Sequence, residues 1–401
     1  MVYLYYYNNY FVINTGGELK VKKTFIYFIC LYISLCIINP IFAEEDVIKI
    51  GALFSVSGRT SFLGIPEKET VEMLTKQINA NGGINGKKLE VIIYDTKGDA
   101  TNTLYLAKKL INEDNVVAIV GPTLSGTSLA IVDLVNQKEI PLISCAASIK
   151  IVEPVRERKW VFKTAQSDRI AVQKIYSYLK KNGLQKIAFL TVENAFGKSG
   201  QIQLETAAAS YGFNIVANNT FSPNTTDIKK QLSNIKKQDP KAIICWGTNP
   251  GPAYVAKNMK ELQIDTLLIQ SHGVASKKFI ELAGDACEGN ILPAGRLLVC
   301  EKLDDNDPQK TILLKYKKDF TEKYGKDPDT FGGHGYDAFM ILIKAIEKAG
   351  PNRSKIRKEI EKMNFTGISG VFQFSKKDHN GLTEDAFTIV TIKDGNWALL
   401  E

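Results

Sequence analysis

Short apolar runs alternate with amphipathic stretches from residue 47 onward, and that alternation predicts the architecture. Residues 47–57 read as a strand leading into a loop over 58–64. Pro66 then opens a helix with Val71, Leu74 and Ile78 on one face, closed by Asn81-Gly82-Gly83. A strand over 89–94 ends at Asp95, a helix follows over 101–112, and 116–120 is a strand that stops at Gly121-Pro122. A helix over 126–137 and a strand over 141–144 complete β-α-β-α-β-α-β. The strand runs are apolar without interruption, as strands covered on both faces of a parallel sheet should be. The pattern restarts with strands over 186–191, 213–221, 242–246 and 267–270 and helices between them, although no sequence repeat links the halves. Two α/β lobes of similar plan are therefore expected. Past Gly289 the layout loosens: an extended stretch over 290–300, helices over 308–324 and 331–349, and a closing β-pair made by 368–374 and 386–393. The long late helices suit the first lobe, which requires the chain to cross between lobes more than once.

The stretch from Val116 to Ser148 organises the candidate chemistry. Ser125, Thr127 and Ser128 stand where a helix begins, and Ala146, Ala147 and Ser148 follow the next strand at its carboxyl end. In a doubly wound sheet both positions border one crevice, and helix N-termini there favour anions. This predicts half of a cleft holding a small carboxylate.

Composition narrows the alternatives. The 401 residues are 44% hydrophobic and 23% charged, ordinary for a globular chain long enough for two domains. The net charge of +8 is scattered over pairs such as Lys229-Lys230 and Lys236-Lys237, which read as solvated helix faces, so no nucleic-acid partner is expected. Lys20, Lys22 and Lys23 precede an apolar run from Thr24 to about Phe42, then Ala43 and an acidic start. That is the order of a secretory signal over residues 1–43, with an uncleaved membrane anchor as the alternative. Export permits disulfides. Cys287 and Cys300 flank the extended stretch and are the pair considered for a bridge, with unpaired thiols the alternative, while Cys145 and Cys245 lie in apolar runs as buried thiols. No spacing suggests a metal.

An enzyme is the rival class. Tyr176 and Lys180 have the Tyr-x-x-x-Lys spacing of short-chain dehydrogenases, but residues four apart on any helix share a face. The first strand lacks a G-x-G-x-x-G fingerprint and the chain has no G-x-S-x-G elbow, so neither a cofactor nor catalysis is expected.

Asn81-Gly82-Gly83-Ile84-Asn85-Gly86, VVAIVGPTLSGTSLA, PLISCAAS, ENAFGKSG, SHGVAS, AGDACEG and GYDA, in this order, resemble the extracytoplasmic solute-binding proteins of branched-chain amino acid ABC transporters, over nearly all of 47–393. The resemblance implies the periplasmic-binding-protein type I clam-shell, two α/β lobes joined by three hinge crossings. The first lobe would be 47–165 plus 299–366 and the second 168–297 plus 370–401. It implies a monomeric periplasmic protein that closes on a ligand and is received by inner-membrane permease subunits. A membrane-tethered sensor on the same fold is the alternative. By the same resemblance Ser125 binds the ligand carboxylate, Ala147 and Ser148 add a backbone group and a hydroxyl, and Phe196 forms an aromatic wall. Thr248 or Asn249 faces the ligand, and Phe62 and Leu63 pack on it from a loop. His272 stands where amino-acid binders of the family place an acidic residue for the ligand ammonium. Within the class of small amino acid-like, aromatic or aliphatic acids, a carboxylate with an apolar body, aromatic or aliphatic, and no amine is therefore expected.

Overall fold

A computed structural model describes residues 3–7, 10–14, 18–22 and 47–400, in two units that divide after Asp46. The apolar run and cleavage site of the expected signal lie outside the described residues. In the first unit β1 (Tyr3–Tyr7), β2 (Tyr10–Asn14) and β3 (Glu18–Lys22) form an antiparallel meander. The reading above does not contain these strands, although Tyr, Phe, Val and Ile favour them. Among the described residues no helix is long and apolar enough to cross a membrane.

The second unit begins with β4 (Ile48–Phe54), β5 (Leu89–Asp95), β6 (Ile119–Val120), β7 (Leu142–Ser144) and β8 (Val161–Lys163). They form an all-parallel sheet of order β5-β4-β6-β7-β8. Between its strands run α1 (Ser61–Ala80), α2 (Ala100–Asn112) and α3 (Ser125–Gln137). The chain then crosses over residues 164–167 to α4 (Asp168–Lys181) and a second sheet. Its strands are β9 (Lys186–Val192), β10 (Asn214–Phe221), β11 (Ala242–Trp246), β12 (Leu267–Gln270) and β13 (Ile291–Ala294), in the order β10-β9-β11-β12-β13. The two lobes therefore share one winding scheme. Helices α5 (Ala195–Tyr211), α6 (Lys229–Lys236), α7 (Gly251–Glu261) and α8 (Lys277–Ala283) belong to the second.

After β13 the chain returns as α9 (Lys310–Tyr324), α10 (Thr330–Ala349) and α11 (Arg353–Ile360), with α10 packed along α1 of the first lobe. It crosses back after the small antiparallel pair β14 (Asn364–Thr366) and β15 (Val371–Gln373) to add β16 (Thr388–Lys393) and β17 (Asn396–Leu399) to the second sheet. The lobes are thus joined by three crossings, the clam-shell plan expected.

Three local expectations are corrected. Helix α1 starts at Ser61, not Pro66, because Leu63 and Gly64 already belong to its buried face. Gly64 is required there, since a Cβ would stand 2.2 Å from the Ser55 carbonyl oxygen. The closing β-pair is not made: β15 pairs with β14, and β16 lies between β13 and β17. The bridge considered between Cys287 and Cys300 is also absent, all four cysteines from Cys145 onward being free and buried. Cys287 ends the turn before β13 and Cys300 lies in the 3-10 turns after it, with the strand between them. Disulfide geometry requires Cα atoms within about 7 Å.

Excess reductant should therefore leave the melting midpoint of the protein unchanged, where loss of a native bridge would cost about 2–4 kcal/mol. Alkylation after unfolding, without reductant, should label Cys145, Cys245, Cys287 and Cys300 in one mass-spectrometric experiment.

Candidate functional site

Both sheets direct the carboxyl ends of their strands at one cleft of about 300 Å³, small but within the range of ligand pockets. The loops after β4, β5, β6 and β7 line it from one side, and those after β9, β11 and β12 from the other.

The first turn of α3 is its centre. The helix begins at Ser125, and Leu124 occupies the N-cap in extended backbone. A leucine side chain has no acceptor, so the first-turn N–H groups are not capped from that position. Asp99, Ser167, Asn194, Asp329 and Asn352 each cap their own helix with a side-chain oxygen. The Leu124 N–H itself donates to Thr127 Oγ1 at 3.3 Å. Ser125 Oγ accepts the Ser148 N–H at 3.3 Å, leaving its own proton for another acceptor. Next to it, Thr123 Oγ1 accepts the Ser55 N–H at 3.0 Å and donates to Glu67 Oε2 at 2.5 Å. Burial pushes the Glu67 carboxyl well above its usual range, so this group adds little negative charge behind the turn. Backbone donors, a free hydroxyl proton and the helix dipole together favour an anion at this end.

The opposite wall is aromatic. Phe196 and Trp246 stack tilted at 5.7 Å, and the His272 ring meets Phe196, Trp246 and Phe387 edge-on at 5.6, 5.7 and 5.4 Å. His272 is 6% exposed, and neither ring nitrogen has a partner among the described residues. Burial, helped by His334 and Lys163, pushes its pKa down to about 3, so it presents a neutral imidazole with one donor and one acceptor. His334, whose Nδ1 lies 2.8 Å from Ser369 Oγ, is likewise pushed to about 3 by burial and Lys163. Among the described residues no Asp or Glu lines the cleft, whereas Arg59 and Lys97 do.

Of the residues singled out in the sequence, the cleft brings together Leu63, Ser125, Ala147, Phe196, Thr248 and His272. Three stand behind its wall. Phe62 packs edge-on against the cleft residue Phe331 at 6.0 Å. Ser148 Oγ lies 2.7 Å from Ser199 Oγ across the lobes. Asn249 is buried beside Thr248, and its amide has no partner among the described residues. Sequence reasoning did not single out Arg59, Lys97, Thr123 or Phe331, and it read His334 as part of a helix start without ligand contact, whereas His334 lines the cleft. The available signal was position, because the first three follow strand carboxyl ends and the last two open α10.

Two lobes of one winding scheme, three crossings and a polar-ended cleft between them define a ligand-binding protein of the clam-shell type. The profile described as periplasmic binding protein matches residues 47–396, and the chain belongs to that family. An extracellular ligand-binding receptor from Rhodopseudomonas palustris HaA2 is 28% identical, with a TM-score of 0.82 over 88% of this chain and 99% of its own. The leucine-, isoleucine-, valine-, threonine- and alanine-binding protein of Pseudomonas aeruginosa is 24% identical over 335 residues, which are 83% of this chain and 87% of that relative. The isoleucine complex of the branched-chain amino acid substrate-binding protein LivJ from Streptococcus pneumoniae, 23% identical, shares the fold with a TM-score of 0.76 over 88% of this chain and 97% of its own.

His272 and His334 both titrate far below the ordinary value of about 6.5. An unfolded chain therefore takes up protons that the folded one refuses once the pH drops below that value. Their contribution is intact above about pH 6.5 and should fall by up to about 1.4 kcal/mol per pH unit for each histidine between there and pH 3. Urea midpoints measured against pH should show this slope, and His272→Asn should remove its share of it.

Proposed function

We propose that this protein is the extracytoplasmic substrate-binding component of an ABC importer, and that it captures a small carboxylate with an apolar body and no ammonium group. It has no catalytic role in this reading. It works as an exported monomer that presents its closed, loaded form to the membrane subunits of a permease. The observation that carries the ligand class is electrostatic. A carboxylate is the strongest partner for an ammonium, and among the described residues the cleft lining has none, while a neutral His272 stands among aromatic rings at the far wall. The uncapped turn at Ser125 supplies the carboxylate end. The names of the relatives support the importer role and point to amino acids; the composition of the cleft favours acids that lack the amine.

Closure follows from differential contact. A ligand touching both Ser125 and the Phe196–His272 wall gains its full set of interactions only when the lobes are together, so it shifts the population towards the closed state.

Thermal unfolding with leucine, valine, benzoate and butyrate tests the ligand class. An acid that fits should stabilise the protein by about 2.7 kcal/mol at a hundredfold excess over its dissociation constant. Ser125→Ala should weaken that acid by roughly tenfold to a hundredfold, as expected for a hydrogen bond to a charged group. Stabilisation by leucine or valine with no response to either acid would contradict the missing-amine argument.

A further inference from the structure

The cleft has a second electropositive pole that a single carboxylate at α3 does not use. Among the described residues its lining carries two fixed cations, Lys97 on the loop after β5 and Arg59 on the loop after β4. The Lys97 ammonium has no hydrogen-bond or ion-pair partner among the described residues. The Arg59 guanidinium donates to the Pro223 carbonyl at 2.8 Å and to the Asn224 amide oxygen, both on the opposite lobe and both uncharged. It is held across the mouth of the cleft by neutral acceptors, and its charge stays uncompensated. The carboxylates nearest Lys97 in sequence keep their own charge, but among the described residues neither forms an ion pair with Lys97 or Arg59. Asp95 accepts the Val56 and Lys97 N–H groups at 3.0 and 2.9 Å and the Ser57 hydroxyl at 2.5 Å. Asp99 accepts the Asn102 N–H at 2.6 Å as the cap of α2. Neither lines the cleft.

Sheet order fixes where this pole lies. Running β5-β4-β6, it places the Arg59 loop one strand and the Lys97 loop two strands from the start of α3. With neighbouring strands about 4.8 Å apart, the offset is roughly 5–10 Å. That is the scale of a short chain or one ring between two acidic groups.

We propose that the ligand is a small dicarboxylate, with one carboxylate at the first turn of α3 and the second at the cleft mouth between Lys97 and Arg59. This rests on the reading of the cleft as a carboxylate site without an amine partner, and it names the substrate class more narrowly. The second carboxylate pairs with cations that meet no carboxylate within the described cleft lining. Arg59, tied to Pro223 and Asn224, makes that neutralisation complete only with the lobes together.

Calorimetric titration of the full protein with two matched pairs, benzoate against terephthalate and butyrate against glutarate, tests the proposal, with leucine as a fifth probe. At least one dianion should bind about tenfold or more tightly than its monoanion, with the steeper loss of affinity on adding salt. Lys97→Gln and Arg59→Gln should each lower that ratio towards unity, their unchanged melting midpoints certifying the fold. Monoanions binding as tightly as their dianions would overturn the dicarboxylate and leave the carboxylate reading standing. So would a Lys97→Gln variant that weakens both members of a pair equally, since the ammonium would then serve the first carboxylate. Tight leucine with no response to any acid would overturn the carboxylate reading itself, and an absence of binding by all five probes would count against both.

Discussion

The start of α3 is the constraint around which the rest of the cleft is arranged. A helix that begins at a leucine leaves its first N–H groups without the side-chain acceptor that five other described helices receive. Helices α1, α6, α7, α8 and α9 also lack one, but here the bare turn opens on the cleft. Such groups cannot be left dry and unpaired inside a protein at no cost. They are tolerable here because the turn opens on a cleft, where water or a ligand satisfies them. The surrounding chemistry keeps negative charge away from that turn. Glu67, the nearest buried carboxyl, accepts from Thr123 and is driven towards its neutral form by burial. The same low-dielectric surroundings push His272 and His334 to neutrality, so neither adds a formal charge to the cleft. The field in the cleft is therefore set by the helix start, Lys97 and Arg59.

This arrangement follows from the winding of the sheets. A parallel strand delivers its carboxyl end, and the loop after it, to one edge of the sheet, and two lobes with the same strand order can place those edges face to face. Phe196, Thr248 and His272 came from the family resemblance, whereas Ser125 was also readable from the chain itself, because it stands at a helix start close behind an unbroken apolar run that reads as a buried strand. The twofold β/α repetition, and with it the two lobes, was legible on the same grounds.

What was not legible depends on partners distant in the chain. Ser148 has the hydroxyl of a ligand contact, yet its oxygen lies against Ser199, 51 residues on, which no local pattern announces. Apolar spacing marked the strands near 371 and 388 but not their pairing, because the choice between β14 and β13 as neighbour is made by tertiary packing. Pro66 read as a helix start, since proline favours first turns, but burial of Leu63 and Gly64 carries α1 further back. Lys97 and Arg59 were invisible for a different reason. In a lysine-rich chain an exposed cation carries no signal until the structure shows that it lines the cleft without a carboxylate beside it among the described residues.

The two ends of the lobe interface differ in kind. At the inner end the contacts are buried and adjoin a crossing. Asp168, just past the first crossing, accepts the N–H of Ile149 at 3.1 Å and the hydroxyl of Ser199, which in turn reaches Ser148. Lys163, buried in the strand before it and pushed down to about 7 by desolvation, donates to the Ala165 carbonyl. Groups this close to a pivot move little when the lobes part, so these bonds fix the joint without opposing its motion. At the mouth the guanidinium of Arg59 reaches the opposite lobe and is exposed. Its bonds to neutral oxygens in contact with water contribute about 1 kcal/mol or less net, too little to hold the lobes closed by themselves. Closure must then draw on the ligand, and a carboxylate placed beneath Arg59 would contribute to it by meeting a charge that spans both lobes.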